Sequence, residues 1–109
     1  MKTRVTLEAL YDTILTRHDA PPEASYVASL MAKGEDAMLR KLAEETTELV
    51  LAAKNGDRPG AVHELADLWF HLLVWMSQAD ITPEDVEQEL GRRFGQSGLE
   101  EKRTRGQSG

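Results

Sequence analysis

A chain of 109 residues is long enough for one domain with a single core and too short for two. Its formal charge of −6 excludes a broad electrostatic grip on nucleic acid or anionic membrane, and the lack of cysteine excludes disulfides and thiol chemistry. Aromatic residues make up only 6% of the chain while Ala, Leu and Glu are plentiful, which favours helices over a sandwich or barrel.

Met1 to Val5 carry no apolar run of the kind a secretory signal needs, so the expected location is the cytoplasm. Thr6 is placed to cap a first helix in which Leu7, Leu10, Tyr11, Ile14 and Leu15 recur at helical spacing. That helix should end around Arg17 to Asp19, because Pro21-Pro22 forces extended backbone just beyond it. His18 reads as a surface residue. Ser25 caps a short second helix, Tyr26 to Ala32, which Gly34 stops. Tyr26, Val27, Leu30 and Met31 mark this helix as packed, with Tyr26 a core aromatic.

The third helix is expected from about Glu35 to Lys54, with Leu39, Leu42, Thr46, Leu49, Val50 and Ala53 as its core face. At 100° per residue, Lys41, Glu45, Glu48 and Ala52 fall roughly 90° from the centre of that face. The carboxylates then sit at the edge of the core, and Glu44 points away from it. The cluster Asn55-Gly56-Asp57-Arg58-Pro59-Gly60 ends this helix and starts the next. The fourth helix, from about Pro59 or Ala61 to Ala79, is apolar nearly all round. Between Leu65 and Met76 only Asp67 and His71 are polar. That stretch is too short and too polar to span a bilayer. A helix of this kind is buried on most sides, and so small a chain cannot cover it alone, so part of it should lie in a subunit interface. His63, near its start, is given no partner by spacing and reads as surface.

Thr82-Pro83-Glu84-Asp85 opens a fifth helix with the cap, the proline and the acids in favoured places. Val86, Leu90 and Phe94 form its stripe, and Gly95 closes it. The expectation is an all-α antiparallel bundle of four to five helices within residues 1–95, completed by dimerisation or higher homo-oligomerisation. Residues 96–109 form a C-terminal tail rich in Gly, Ser and charge, mobile at its end.

Two acidic pairs, Glu45/Glu48 and Glu64/Asp67, are each spaced i,i+3 and so share a helix face. Glu45 and Asp67 are equidistant from Gly56, as are Glu48 and Glu64. In an antiparallel hairpin the four carboxylates meet across one seam, where their repulsion calls for a cation. Oxygen-only ligands favour Mg²⁺, with Mn²⁺ as a substitute, over zinc. A ferritin-like di-iron site would need Glu-x-x-His, which these helices lack. The plainer alternative is a solvated acidic face, against which Asp67 stands because it interrupts an apolar helix.

The pattern Glu44-Glu45-x-x-Glu48 followed by Glu64-x-x-Asp67 resembles the signature of the all-α, MazG-type nucleotide pyrophosphohydrolases. Within that group the chain is similar to the phosphoribosyl-ATP pyrophosphatase family of histidine biosynthesis, from Leu7 to Arg105. The resemblance includes Ser25-Tyr26, Lys33-Gly34, Lys41 and Ala52-Ala53-Lys54-Asn55-Gly56-Asp57. It continues through Ala66-Asp67-Leu68-x-x-His71-Leu72-Leu73 and Ser97-Gly98-Leu99-Glu100-Glu101-Lys102. Ala43 departs from it, standing where the family usually has Gly, a small-for-small change that leaves every ligand in place.

The resemblance implies hydrolysis of the α–β phosphoanhydride of phosphoribosyl-ATP, giving phosphoribosyl-AMP and pyrophosphate. It implies Glu45, Glu48, Glu64 and Asp67 as ligands of Mg²⁺, with Glu44 as a supporting group or general base. Lys33, Lys41, Lys54, Asn55, Lys102 and Arg103 become substrate contacts. Lys41 leads them, its alternative being an i,i+4 ion pair with Glu45. His71 either orients Asp67, touches substrate, or is a hydrogen-bonded core histidine. Trp69, Phe70 and Trp75 suit core or interface packing better than stacking on adenine. Ser25 and Tyr26 are substrate contacts by resemblance alone.

Two other functions use the same residues. One is a MazG-type house-cleaning pyrophosphatase for deoxynucleoside triphosphates, with the same metal cage and different base contacts. The other is a non-catalytic helical dimerisation module, in which Asp67→Asn would be harmless.

Overall fold

The hairpin expected between the third and fourth helices is the spine of the computed structural model, which describes residues 4–95. Five helices run in chain order among these residues: α1 (Leu7–Thr16), α2 (Tyr26–Lys33), α3 (Glu35–Lys54), α4 (Arg58–Gln78) and α5 (Pro83–Phe94). No strand accompanies them in the described part, so the architecture is all-α. The tail at 96–109, with Lys102 and Arg103, lies outside the described residues.

Every helix but α3 starts where a side chain takes up an orphan backbone N–H. Thr6 Oγ1 accepts from Ala9 N at 3.1 Å, and Ser25 Oγ accepts from Ala28 N at 3.2 Å. Asp57 accepts from Gly60 N at 3.0 Å, so α4 begins at Arg58 with Pro59 in its first turn. Thr82 and Asp85 form a reciprocal capping box at the start of α5. Gly34 joins α2 to α3 at φ 96°, a conformation that a Cβ would strain. α1 ends at Thr16, just before the expected Arg17 to Asp19.

Tyr11 and Ile14 of α1, Val27, Ala28 and Leu30 of α2, Met38 of α3, and Leu73 and Val74 of α4 make the core. α4 is its axis, packed along α3 and against α1, while α2 covers the start of α3. α5 leans on α1 and has no buried residue.

Four expectations are corrected. The face expected for α3 is covered only in part: Leu39, Thr46, Val50 and Ala53 are exposed, while Leu42 and Leu49 are half-buried. Met38 and Glu45 are buried, with Lys41, Leu42, Leu49 and Ala52 half-buried beside them. That face is rotated by roughly 90° from the apolar stripe, because apolar periodicity reports which faces need cover and not which one α4 covers. Glu45 therefore lies at the middle of the buried face rather than at its edge. On α4, Val62, Leu65, Trp69 and Leu72 are exposed, in keeping with the expectation that so small a chain cannot cover this helix alone. Tyr26 is 50% exposed and not a core residue. His18 is half-buried, with its Nε2–H donating to Ser77 Oγ at 2.8 Å while that hydroxyl donates to Val74 O.

Candidate active site

Glu45 is the anchor of the acidic face. It is 6% exposed, at the centre of the α3 face that meets α4. Glu48, one turn further on, is exposed, and Glu64 of α4 is half-buried. Carboxylate oxygens from Glu45, Glu48 and Glu64 all lie within 4.8 Å of one another. One oxygen of Glu45 and one of Glu64, Oε2 in each, are buried with no hydrogen-bond partner among the described residues.

Buried carboxylate oxygens without a donor are costly, and neighbouring acids raise the cost. The Glu64 carboxyl responds by being pushed up to about 7 from its ordinary 4.5, by burial first and then by Glu48 and Glu45. A proton on Glu64 relieves the crowding, and a divalent cation would relieve it for all three acids. The donor set fits such an ion: carboxylate oxygens only, close together, two of them orphaned.

Asp67 is set slightly apart. Its Oδ2 lies 3.3 Å from Nε2 of His63, and ligand atoms of His63, Glu64 and Asp67 form a second trio within 4.8 Å. The expected four-carboxylate seam thus appears as two trios sharing Glu64, with Asp67 drawn toward a histidine on its own helix. His63 is a surface residue as expected, but it does have a partner. Its i,i+4 spacing to Asp67 was the readable signal.

Lys41 closes the other side. Its Nζ lies 3.6 Å from Glu45 Oε1 and 3.7 Å from Glu44 Oε2. The ammonium is held above its usual range by the Tyr26 side chain first, against burial, and then by Glu45 and Glu44. Glu44 is exposed and lines an open depression with Ala43, Thr47 and Glu48. Ala43, the departure from the family pattern, therefore sits on a surface with room for its methyl. Lys33, Lys54 and Asn55 are exposed, and neither lysine makes an ion pair among the described residues.

His71 is 7% exposed. Its Nδ1 lies 2.8 Å from the backbone carbonyl of Asp67, which only accepts, so Nδ1 carries the proton. Nε2 is then an acceptor, and Tyr26 donates its hydroxyl to it at 2.9 Å. Both ring nitrogens are engaged inside the chain, which makes His71 a hydrogen-bonded buried residue at the back of the site. Tyr26 links α2 to α4 across the sequence, a bond with no short-range signature. The Tyr26 ring stacks on Phe70 with centroids 6.0 Å apart, and both rings meet His71 edge-on. Trp75 donates its indole N–H to Glu35 Oε2 at 3.1 Å. Trp69 is 52% exposed and faces the far side of α4, roughly 140° round the helix from Glu64.

The profile of the family described as phosphoribosyl-ATP pyrophosphohydrolase matches residues 7–94. A phosphoribosyl-ATP pyrophosphatase of Geotalea daltonii is 52% identical over 99 residues, which is 91% of this chain and 93% of the relative. One from Methylibium petroleiphilum is 56% identical over 96 residues, 88% of this chain and 80% of the relative. One from Methylococcus capsulatus is 52% identical over 99 residues, 91% of this chain and 94% of the relative.

Proposed function

The chain belongs to the phosphoribosyl-ATP pyrophosphohydrolase family, and from that premise we propose that it hydrolyses phosphoribosyl-ATP to phosphoribosyl-AMP and pyrophosphate, an early step of histidine biosynthesis. The observation that carries the chemistry is the buried, unpartnered oxygen of Glu45 converging with Glu48 and Glu64. In this reading Glu45, Glu48 and Glu64 would hold Mg²⁺, or Mn²⁺ in its place, with Asp67 completing the set from the adjoining trio that shares Glu64. The bound ion would shield phosphate charge, polarise the scissile P–O bond and lower the pKa of an attacking water.

The chain's own groups do the rest. Lys41 presents its ammonium beside Glu45, where it would meet a substrate phosphate. Glu44 steadies that ammonium and faces the open depression, where it could accept a proton from water. Lys33, Lys54 and Asn55 are exposed and would contact the outer phosphates. Lys102 and Arg103 keep that role only as an expectation.

Self-association belongs to the same reading. Val62, Leu65, Trp69 and Leu72 on α4 and Leu39 and Val50 on α3 leave wide apolar surface open. A groove of about 220 Å³ between α1, α4 and α5 is lined by Leu7, Trp69, Leu72, Met76, Val86 and Leu90 among others. A second copy of the chain is the occupant we assign to this surface, giving a homodimer or larger homo-oligomer. No helix among the described residues is long and apolar enough to cross a membrane. A cytoplasmic location follows from the proposed metabolic role.

Turnover of phosphoribosyl-ATP beside a panel of deoxynucleoside triphosphates tests the substrate. Pyrophosphate release from phosphoribosyl-ATP alone supports the proposal. Preference for the deoxynucleotides would move the chain to the house-cleaning chemistry, and no turnover of either would leave a binding module.

A further inference from the structure

Beside the contact of α5 with α1 lies a groove of about 440 Å³, lined by Glu8, Tyr11 and Asp12 of α1 and by Glu84 and Glu87 of α5. Glu8 and Asp12 are spaced i,i+4, and Glu84 and Glu87 i,i+3, so each pair turns one helix face to the groove. All four acids are exposed, and none forms an ion pair among the described residues. Glu8 and Glu84 stand in first turns, where the helix dipole favours an acid. Asp12 and Glu87 lie deeper in their helices and draw no such benefit. Two like-charged pairs therefore line one groove, with no base among the described residues to balance them.

Tyr11 points to what belongs there. The residue is 5% exposed and packed in the core, yet its hydroxyl has no hydrogen-bond partner among the described residues. Unlike the orphaned oxygens of Glu45 and Glu64, this oxygen is not sealed inside the protein, so it opens on the groove that the residue lines. A polar atom so nearly buried is costly without a partner, and a ligand in the groove would supply one. Burial first, then Asp80, Asp85 and Asp12, holds the hydroxyl above its usual range. It keeps its proton and offers its lone pairs to an N–H donor.

The shape of the ligand follows from the spacing. No three of these acids bring oxygens within 4.8 Å of one another, as the hairpin trios do, so they do not gather round one metal ion. Side chains at i,i+3 and i,i+4 are about 5–6 Å apart, of the order of the distance between successive nitrogens in a polyamine. Leu15 and Pro83 add apolar lining suited to the methylenes between those nitrogens.

We propose that the groove between α1 and α5 binds a polyamine, its ammonium groups paired with Glu8, Asp12, Glu84 and Glu87 and one of them donating to the Tyr11 hydroxyl. Such a ligand would tie α5, which buries no residue of its own, to α1. The inference is independent of the proposed activity, because the groove shares no residue with the acidic hairpin.

The test is calorimetric titration of the full chain with spermidine at fixed ionic strength, with Mg²⁺ present to fill the hairpin site. Wild type should bind, and Glu8→Gln/Glu87→Gln should weaken binding about fivefold or more. Asp19→Asn/Glu23→Gln removes the same charge from exposed positions outside the groove and should stay within about twofold of wild type. Tyr11→Phe separates a ligand contact from a structural role. Without spermidine its melting temperature should match wild type, since the hydroxyl has no bond to lose; with spermidine the rise should be smaller than in wild type. Backbone amide resonances supply the map, and spermidine should move those of residues 8–15 and 82–87. No binding by wild type, equal weakening in both double variants, or shifts confined to the acids of the hairpin would each overturn the site.

Discussion

Glu45 of α3 and Glu64 of α4 face each other across the hairpin, and each buries a carboxylate oxygen that no group among the described residues satisfies. Such an arrangement lowers the stability of the protein alone and favours whatever cation enters. The two effects can be measured separately.

Without metal, the folded state binds a proton at Glu64 more tightly than the unfolded chain does, since the carboxyl titrates at about 7 rather than 4.5. Stability from this group is therefore fully present below about pH 4.5 and is lost as pH rises through 7. In EDTA, Glu64→Gln should raise the melting temperature at pH 8 and change it little at pH 5. Equal shifts at both pH values would contradict the assignment.

Metal entry must displace that proton. Mg²⁺ or Mn²⁺ binding near pH 7 should release protons, and affinity should rise between pH 6 and pH 8. Calorimetry in buffers of different ionisation enthalpy reads the release directly, and a buffer-independent heat would count against it.

Tyr26→Phe removes the donor to a buried ring nitrogen of His71 and leaves that acceptor unsatisfied. The expected cost is about 1–3 kcal/mol, or a fall in melting temperature of at least about 4 °C. Adding His71→Phe should recover part of it if the bond is the cause. Thermal unfolding of the single and double variants is the measurement.

Trp69 projects from the apolar side of α4, away from the acids. Wild type should sediment as a dimer or larger species, and Trp69→Glu should shift it toward monomer. Monomeric wild type at micromolar concentration would contradict the interface.

The local parts of the fold were legible because their causes are local. Thr6, Ser25 and Thr82-Pro83-Glu84-Asp85 mark helix starts by chemistry within one turn, and Asn55-Gly56 marks the hairpin. The face of α3 that is buried was not legible, because the Leu39–Val50 stripe and the Glu45 stripe compete for cover and only the packed fold decides. Within the site, Glu45, Glu48 and Glu64 could be placed together from spacing and hairpin symmetry. The Tyr26–His71 and His18–Ser77 bonds join residues from different helices, and no periodicity reports them. His63 beside Asp67 was readable from i,i+4 spacing alone.

The most direct test of the central claim is pyrophosphate release from phosphoribosyl-ATP, with Mg²⁺ and with EDTA, for wild type and Glu48→Gln. Glu48 is exposed, so its replacement can remove a ligand with little effect on the core. Turnover should require Mg²⁺ and should fall about 100-fold or more in the variant, with the fold intact by circular dichroism. Turnover that survives EDTA, or a variant as active as wild type, would contradict a metal-dependent site on this hairpin.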